Sequence, residues 1–221
     1  MPRTALLRDS EAKLQHILQH SAQIFANRGF AGASMRDVSR STGISLSGLY
    51  YYFKSKQELL YLIQKKAFTS VVHRLQSELP AVSNPQARLK LFISNHLDYF
   101  LAHPAEMKVL SHEDDALEEP YKKEIGAIKR RYYNLACEIF EDVTREKTAG
   151  LANPRIAILI LYGMMNWIYK WHNAAVDPSA EELSETICSI FLHGALNGRN
   201  GATADGPGRN RLSLEKIGTP E

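Results

Sequence analysis

The side chains best suited to chemistry stand together near the start of the chain. Residues 43–53 read GISLSGLYYYF, with two serine hydroxyls, two glycines and three consecutive phenols. Such hydroxyls and phenols donate to phosphate oxygens and base edges, and a phenol ring can rest on a thymine methyl. Neighbours on a helix point about 100° apart, so three adjacent tyrosines cannot all enter one core. At least one must meet solvent or a partner. Catalytic patterns are absent. Gly43-x-Ser45-x-Ser47 lacks the last glycine of a nucleophile elbow, and there is no Gly-rich phosphate loop or HExxH helix. His16 and His20, four apart, could share a helix face, but no Cys, Asp or Glu completes a metal site locally. The run His112-Glu-Asp-Asp115 reads as a solvated loop. No metal or cofactor is expected, and an enzyme is the remote alternative.

Short helices must position the phenols. Leu14, Ile17, Leu18, Ala22 and Phe25 form an apolar stripe, with Ser10 as its N-cap and Gly29 as its stop. Ser34-Met-Arg-Asp37 has the form of a capping box, and Gly43 closes that helix after about two turns. A second short helix is predicted over 45–52, and Ser55-Lys-Gln-Glu58 opens a longer one. Two short helices joined by a tight Gly turn and packed behind a longer one describe a helix-turn-helix. Val38, Ile44 and Leu49 would meet in its angle, leaving Arg36, Arg40, Ser45 and Ser47 outside. The second helix would lie in the major groove of double-stranded DNA, its small residues allowing close approach. Tyr50 and Tyr51 then lean outward. Tyr52 is open between the inner face and a phosphate, and Lys56 stands beside helix N-terminal amides suited to phosphate.

Charge agrees with this division. Residues 1–68 hold ten Lys/Arg against four Asp/Glu, a net +6, whereas residues 69–221 hold seventeen against twenty, a net −3. A basic head on a mildly acidic body fits a polyanion partner. Arg3 and Arg8 are either a DNA-tracking arm or solvated. The longest uncharged run, Ile156 to Tyr169, is only fourteen residues and includes Asn166, too short to span a bilayer. The first residues lack the apolar core of a signal peptide, and Cys137 and Cys188 suit no disulfide framework, so a cytoplasmic protein without membrane contact is expected.

Residues 25 to 68 contain F-A-x-x-G-F-x-G-x-S-M-R-D-V, T-G-I-S-x-S-G-L-Y-x-Y-F and K-S-K-x-E-L-L. This resembles the DNA-binding head of the TetR family of bacterial transcriptional regulators. The resemblance implies DNA contacts from Ser34, Arg36, Ser45, Leu46, Ser47, Gly48, Tyr50, Tyr51, Tyr52 and Lys56. Leu46 stands where the family often has Lys or a polar residue, and Gly48 where Thr is common.

The body reads as longer helices over 85–102, 120–147 and 154–172, with a short piece over 105–116 and a last helix opened by Ser179-Ala-Glu-Glu182. After Asn197 the chain is too poor in apolar residues to repay ordering. The expectation is an all-α fold of about nine helices: a three-helix head over 1–68, a ligand-binding and dimerisation domain over 69–197, and a disordered tail over 198–221. One face of the 154–172 helix collects Ile156, Ile160, Gly163, Met164, Trp167 and Trp171; another collects Ile158, Leu161, Tyr162, Met165 and Tyr169. A helix apolar nearly all round is buried on two sides. Ile158, Leu161, Tyr162 and Met165 are therefore assigned to a homodimer interface, with Leu183, Ile187, Ile190 and Phe191 of the last helix.

The family resemblance implies the same homodimer on a near-palindromic operator, and a body enclosing a small-molecule inducer. Candidate lining residues are Tyr99, Phe100, Met107, Leu110, Arg131, Tyr132, Phe140, Met164, Trp167 and Trp171, any of which could instead fill core. The Trp-x-x-x-Trp helix and the KRRYY run at 129–133 resemble members that sense acyl-coenzyme A thioesters, where Arg130, Arg131 or Lys170 could meet ligand phosphates. A ligand-responsive repressor is the expected function, with a small apolar or acyl-CoA-type inducer, acyl-CoA and fatty acids being the candidates. A constitutive DNA-binding protein is the nearer rival.

Overall fold

Helix boundaries in the computed structural model, which describes residues 2–145 and 153–197, follow local capping chemistry. The first helix, α1 (Pro2–Gly32), breaks at Gly29, whose φ of 73° lies where only glycine is comfortable. Ser10 lies inside α1 and does not cap it, because the helix already begins at Pro2. Helix α2 (Met35–Thr42) opens on the expected capping box: Asp37 N–H donates to Ser34 Oγ, and the Asp37 carboxylate accepts Ser34 N–H at 2.9 Å. Gly43, at φ 70°, closes it.

Helix α3 (Leu46–Tyr52) follows at once, with Ser45 accepting Gly48 N–H. Helix α4 (Lys56–Glu78) starts with Ser55 accepting Glu58 N–H, while the Glu58 carboxylate takes Lys54 N–H, one residue earlier than a standard box.

Helices α5 (Pro85–Ala102), α6 (Pro104–His112) and α7 (Tyr121–Thr144) build the body, with a short 3-10 turn over Asp114–Ala116. Asn153 and Pro154 open α8 (Pro154–Asn166), and Ser179 with Glu182 opens α9 (Ala180–Asn197). Helix α8 stops six residues before the expected His172. There i→i+3 bonds from Lys170 N–H to Trp167 O and from Trp171 N–H to Ile168 O tighten the chain. That turn tucks Ile168 into the core and leaves Trp167 outside. No strand occurs among the described residues, and no helix among them is long and apolar enough to cross a membrane. The expectation for 198–221 lies outside them.

Apolar burial divides into two clusters. The front one gathers Ile17, Phe25, Val38, Leu49, Phe53 and Leu59, and also takes Val109, Leu117 and Ile125 from the body. The rear one gathers Leu75, Leu89, Phe92, Phe140 and Ile158 among others. Here the assigned dimer face is corrected. Ile158, Leu161, Met165, Leu183, Ile187 and Phe191 are buried in the chain's own rear core, and Tyr162 is half-buried beside them. Of that set only Ile190 is exposed, at 60%. The opposite face of α8 carries Ile156, Leu159 and Ile160 into solvent. Both faces are apolar, and packing against α7, with α5 and α9, selects which one turns inward.

Candidate nucleic-acid interface and body cavity

Helix α3 presents its polar edge because Leu49 anchors the other. Leu49 is fully buried with Val38, and Ile44 packs beside them. Tyr50 is then 50% exposed and Tyr51 81% exposed. Tyr52 is half-buried against the front core, edge-on to Tyr51 at 5.2 Å. Ser34, Arg36, Ser45 and Ser47 are exposed and Leu46 is half-exposed, so the α2–α3 corner offers hydroxyls, a guanidinium and phenols to solvent. Gly48 has a packing reason as well. A Cβ there would stand 2.9 Å from Ile44 Cγ2, so Ile44 would have to move.

Lys56 is placed differently from its sequence neighbours. Its ammonium donates to the Phe30 and Ala33 carbonyls at 2.8 and 2.9 Å and lies 4.3 Å from the Phe30 ring centre. It ties the start of α4 to the broken end of α1. His16 and His20 also serve α1–α2 packing, facing Thr42 O and Ser41 Oγ. Asp37 is held below the usual carboxylate range, first by the Ser34 hydroxyl and backbone, then by Arg28 and Arg40.

The body encloses a cavity of about 580 Å³, a size suited to a small organic molecule. Phe100, Met107, Leu110, Tyr132 and Trp167 of the expected set line it. The others do not. Tyr99 donates to the buried Glu106, Phe140 packs on Phe191, and the exposed Arg131 donates to Gln76. Met164 packs against the rear core, and Trp171, beyond the helix end, is half-exposed.

Sequence reasoning missed His96, Tyr162, Lys129 and His112 on the cavity wall. A signal for His96 was available: it falls between Phe92 and Phe100 at helical spacing on an apolar stripe. Its ring is 3% exposed, and burial pulls its pKa down to about 3. Burial likewise pushes the Tyr132 and Tyr162 phenols up. Where the cavity meets solvent, exposed His112 bonds Tyr169 OH at 2.8 Å.

Helix α6 joins this cavity to the head. Met107, Leu110, Ser111 and His112 line the cavity, while Val109 enters the front core. One residue later, Glu113 accepts Phe30 N–H at 2.8 Å and its carbonyl accepts from Gln64. Gln57 donates to Ala116 O at 2.9 Å.

Known proteins are similar to this chain along most of its length. The HTH-type transcriptional repressor KstR2 of Mycolicibacterium smegmatis is 23% identical over 189 residues, covering 83% of this chain and 90% of its own. The fatty acid metabolism regulator protein of Bacillus subtilis is 20% identical over 199 residues, covering 86% and 100%. The solved structure of AibR in complex with isovaleryl coenzyme A and operator DNA superposes with a TM-score of 0.70 at 22% identity, covering 80% of this chain and 97% of that one. Residues 17–61 match the profile of bacterial regulatory proteins of the tetR family, and residues 82–195 that of the tetracyclin repressor-like C-terminal domain. With a helix-turn-helix head and both profiles in chain order, the protein belongs to the TetR family of DNA-binding transcriptional regulators.

Proposed function

We propose that the chain is a homodimeric repressor whose α3 reads a near-palindromic operator and whose cavity takes an apolar effector that releases the DNA. The head is taken as residues 1–68 and the effector and dimer unit as 69–197. Ser34, Arg36, Ser45, Ser47, Tyr50 and Tyr51 would contact DNA directly, with Leu46, Gly48 and Tyr52 shaping the helix; Lys56 would act by holding the head together. The exposed apolar face of α8, Ile156, Leu159 and Ile160, with Ile190 of α9, would be covered by a second copy of the chain. Leaving several large aliphatic side chains in water forgoes roughly 1.5–3 kcal/mol each, which favours such a cover.

One observation carries the regulatory part: α6 lines the cavity and, through Glu113, grips the head at the break in α1. An effector that shifts α6 would therefore shift the head. Effector class is drawn from the relatives, one named as a fatty acid metabolism regulator and one solved with isovaleryl coenzyme A. The test is DNA binding to the region flanking the chain's own gene, with and without acyl-coenzyme A esters and free fatty acids. Specific binding released by one of these classes supports the reading. Binding indifferent to every ligand would make the protein a constitutive DNA binder.

A further inference from the structure

Two polar groups on the cavity wall lack partners. His96 Nε2 and Tyr162 OH are both shut from solvent, and neither has a partner in good hydrogen-bond geometry among the described residues, although the Asn166 side chain interacts with the His96 ring. Both residues line the cavity, their rings 6.3 Å apart and packed with Phe92, Phe100 and Tyr132. Buried polar groups left unpaired are costly, so a bound group that pairs with both would be favoured here.

Their chemistry can be read further. His96 Nδ1 lies 3.2 Å from Tyr132 OH, the one partner recorded for that phenol among the described residues. The phenol is the better donor and has no other recorded acceptor, so its proton goes to Nδ1. A neutral imidazole carries one N–H, which then sits on Nε2. Burial keeps the ring neutral, although the Asn166 side chain on the same wall favours the charged form. This pair thus presents two donors, Nε2–H and Tyr162 O–H, neither of which carries a full positive charge. The permanent cation among the lining residues, Lys129, is half-exposed and lies over the Phe68 ring at 5.4 Å.

We propose that His96 and Tyr162, with Tyr132 as the positioning residue that sets the tautomer, form a recognition point for an uncharged carbonyl oxygen on an apolar chain. A carbonyl has two lone pairs and accepts both donors. At this pair a carboxylate would have to shed its water facing two neutral donors, with the lining cation Lys129 placed over the Phe68 ring, which disfavours it there. The effector class this selects is an acyl ester or thioester, over the free acid. This rests on the reading of the cavity as the effector site.

Tryptophan fluorescence, with Trp167 on the cavity wall, reports binding. The probes are a medium-chain acyl-coenzyme A, the methyl ester of the same acid, the free acid and the parent alkane, titrated into the full chain and into Tyr162→Phe. The ester and thioester are expected to bind about tenfold or more tighter than the free acid at neutral pH. Tyr162→Phe should weaken ester binding by about tenfold and leave the alkane unchanged. Comparing thioester with methyl ester separates contacts to the coenzyme portion from the carbonyl itself. Equal binding of acid and ester, or an ester affinity untouched by Tyr162→Phe, overturns the recognition point. Discriminating binding that leaves operator affinity unchanged supports the recognition point and instead refutes the effector role. Failure of every probe to bind overturns both.

Discussion

The Glu113 carboxylate accepts the Phe30 backbone N–H at 2.8 Å, so a residue of the body holds the head where α1 breaks at Gly29. The residues are 83 apart in the chain, and Gln64 Nε2 donates to the Glu113 carbonyl at 3.2 Å, adding a second strand to the clasp. Glu113→Ala leaves the part-buried Phe30 N–H without its acceptor. The expected cost is about 1–3 kcal/mol of stability, read by denaturant melting. Glu113→Gln keeps a side-chain oxygen and should recover most of it. If the clasp also transmits effector binding, Glu113→Ala will blunt the effector dependence of operator affinity more than the affinity itself.

Tyr51, 81% exposed, has little to do in the folded monomer. Tyr51→Ala should therefore change stability by no more than about 0.5 kcal/mol. Operator affinity should nevertheless fall about tenfold, as expected for a lost phosphate or base contact. Fluorescence anisotropy at physiological salt measures it, and an unchanged affinity would remove that phenol from the interface.

The two faces of α8 make opposite predictions. Ile160 is 56% exposed and Ile158 fully buried, only two positions away. Ile160→Glu should leave the fold intact and yield a monomer by sedimentation velocity. Ile158→Ala opens a cavity in the rear core and should cost about 2–5 kcal/mol while the remaining folded protein stays dimeric. A dimeric Ile160→Glu protein would count against the outer face of α8 as the interface.

His96 gives stability a pH dependence. Its folded pKa, about 3, is below the ordinary 6.5, so the unfolded chain binds the extra proton first as the pH falls. Stability is whole above about pH 6.5 and declines below it, by up to about 1.4 kcal/mol per pH unit from this residue, until the folded ring protonates. His96→Leu should flatten that slope, whatever it does to stability at neutral pH. Equilibrium melts at several pH values on either side of the ordinary histidine titration, from about 4 to about 8, would check this. An unaltered slope would mean that other groups set the acid response.

Much of the architecture was legible in the chain because helix ends are local events. Ser34 with Asp37, Gly43, Asn153 with Pro154, and Ser179 with Glu182 act over three or four residues, and each marks a real boundary. The α3 phenols were legible for a related reason. Once Leu49 turns inward, helical geometry alone sends Tyr50 and Tyr51 outward.

Other features depend on partners distant in sequence. Lys56 looked like a phosphate contact until Phe30 and Ala33, 26 and 23 residues away, took its ammonium. Residues 158 and 160 are both isoleucine, so periodicity could not say which is covered; α7, with α5 and α9, on one side of α8 decides it. His96 is one polar ring in an apolar stripe, and its meaning appears only when Tyr132 and Tyr162 close around it. Sequence alone determined the elements and the motif that reads DNA, because those rest on short-range hydrogen bonding and helical period. Tertiary packing decided which apolar face is interior and which polar groups line the cavity, because burial is a property of neighbours from elsewhere in the chain.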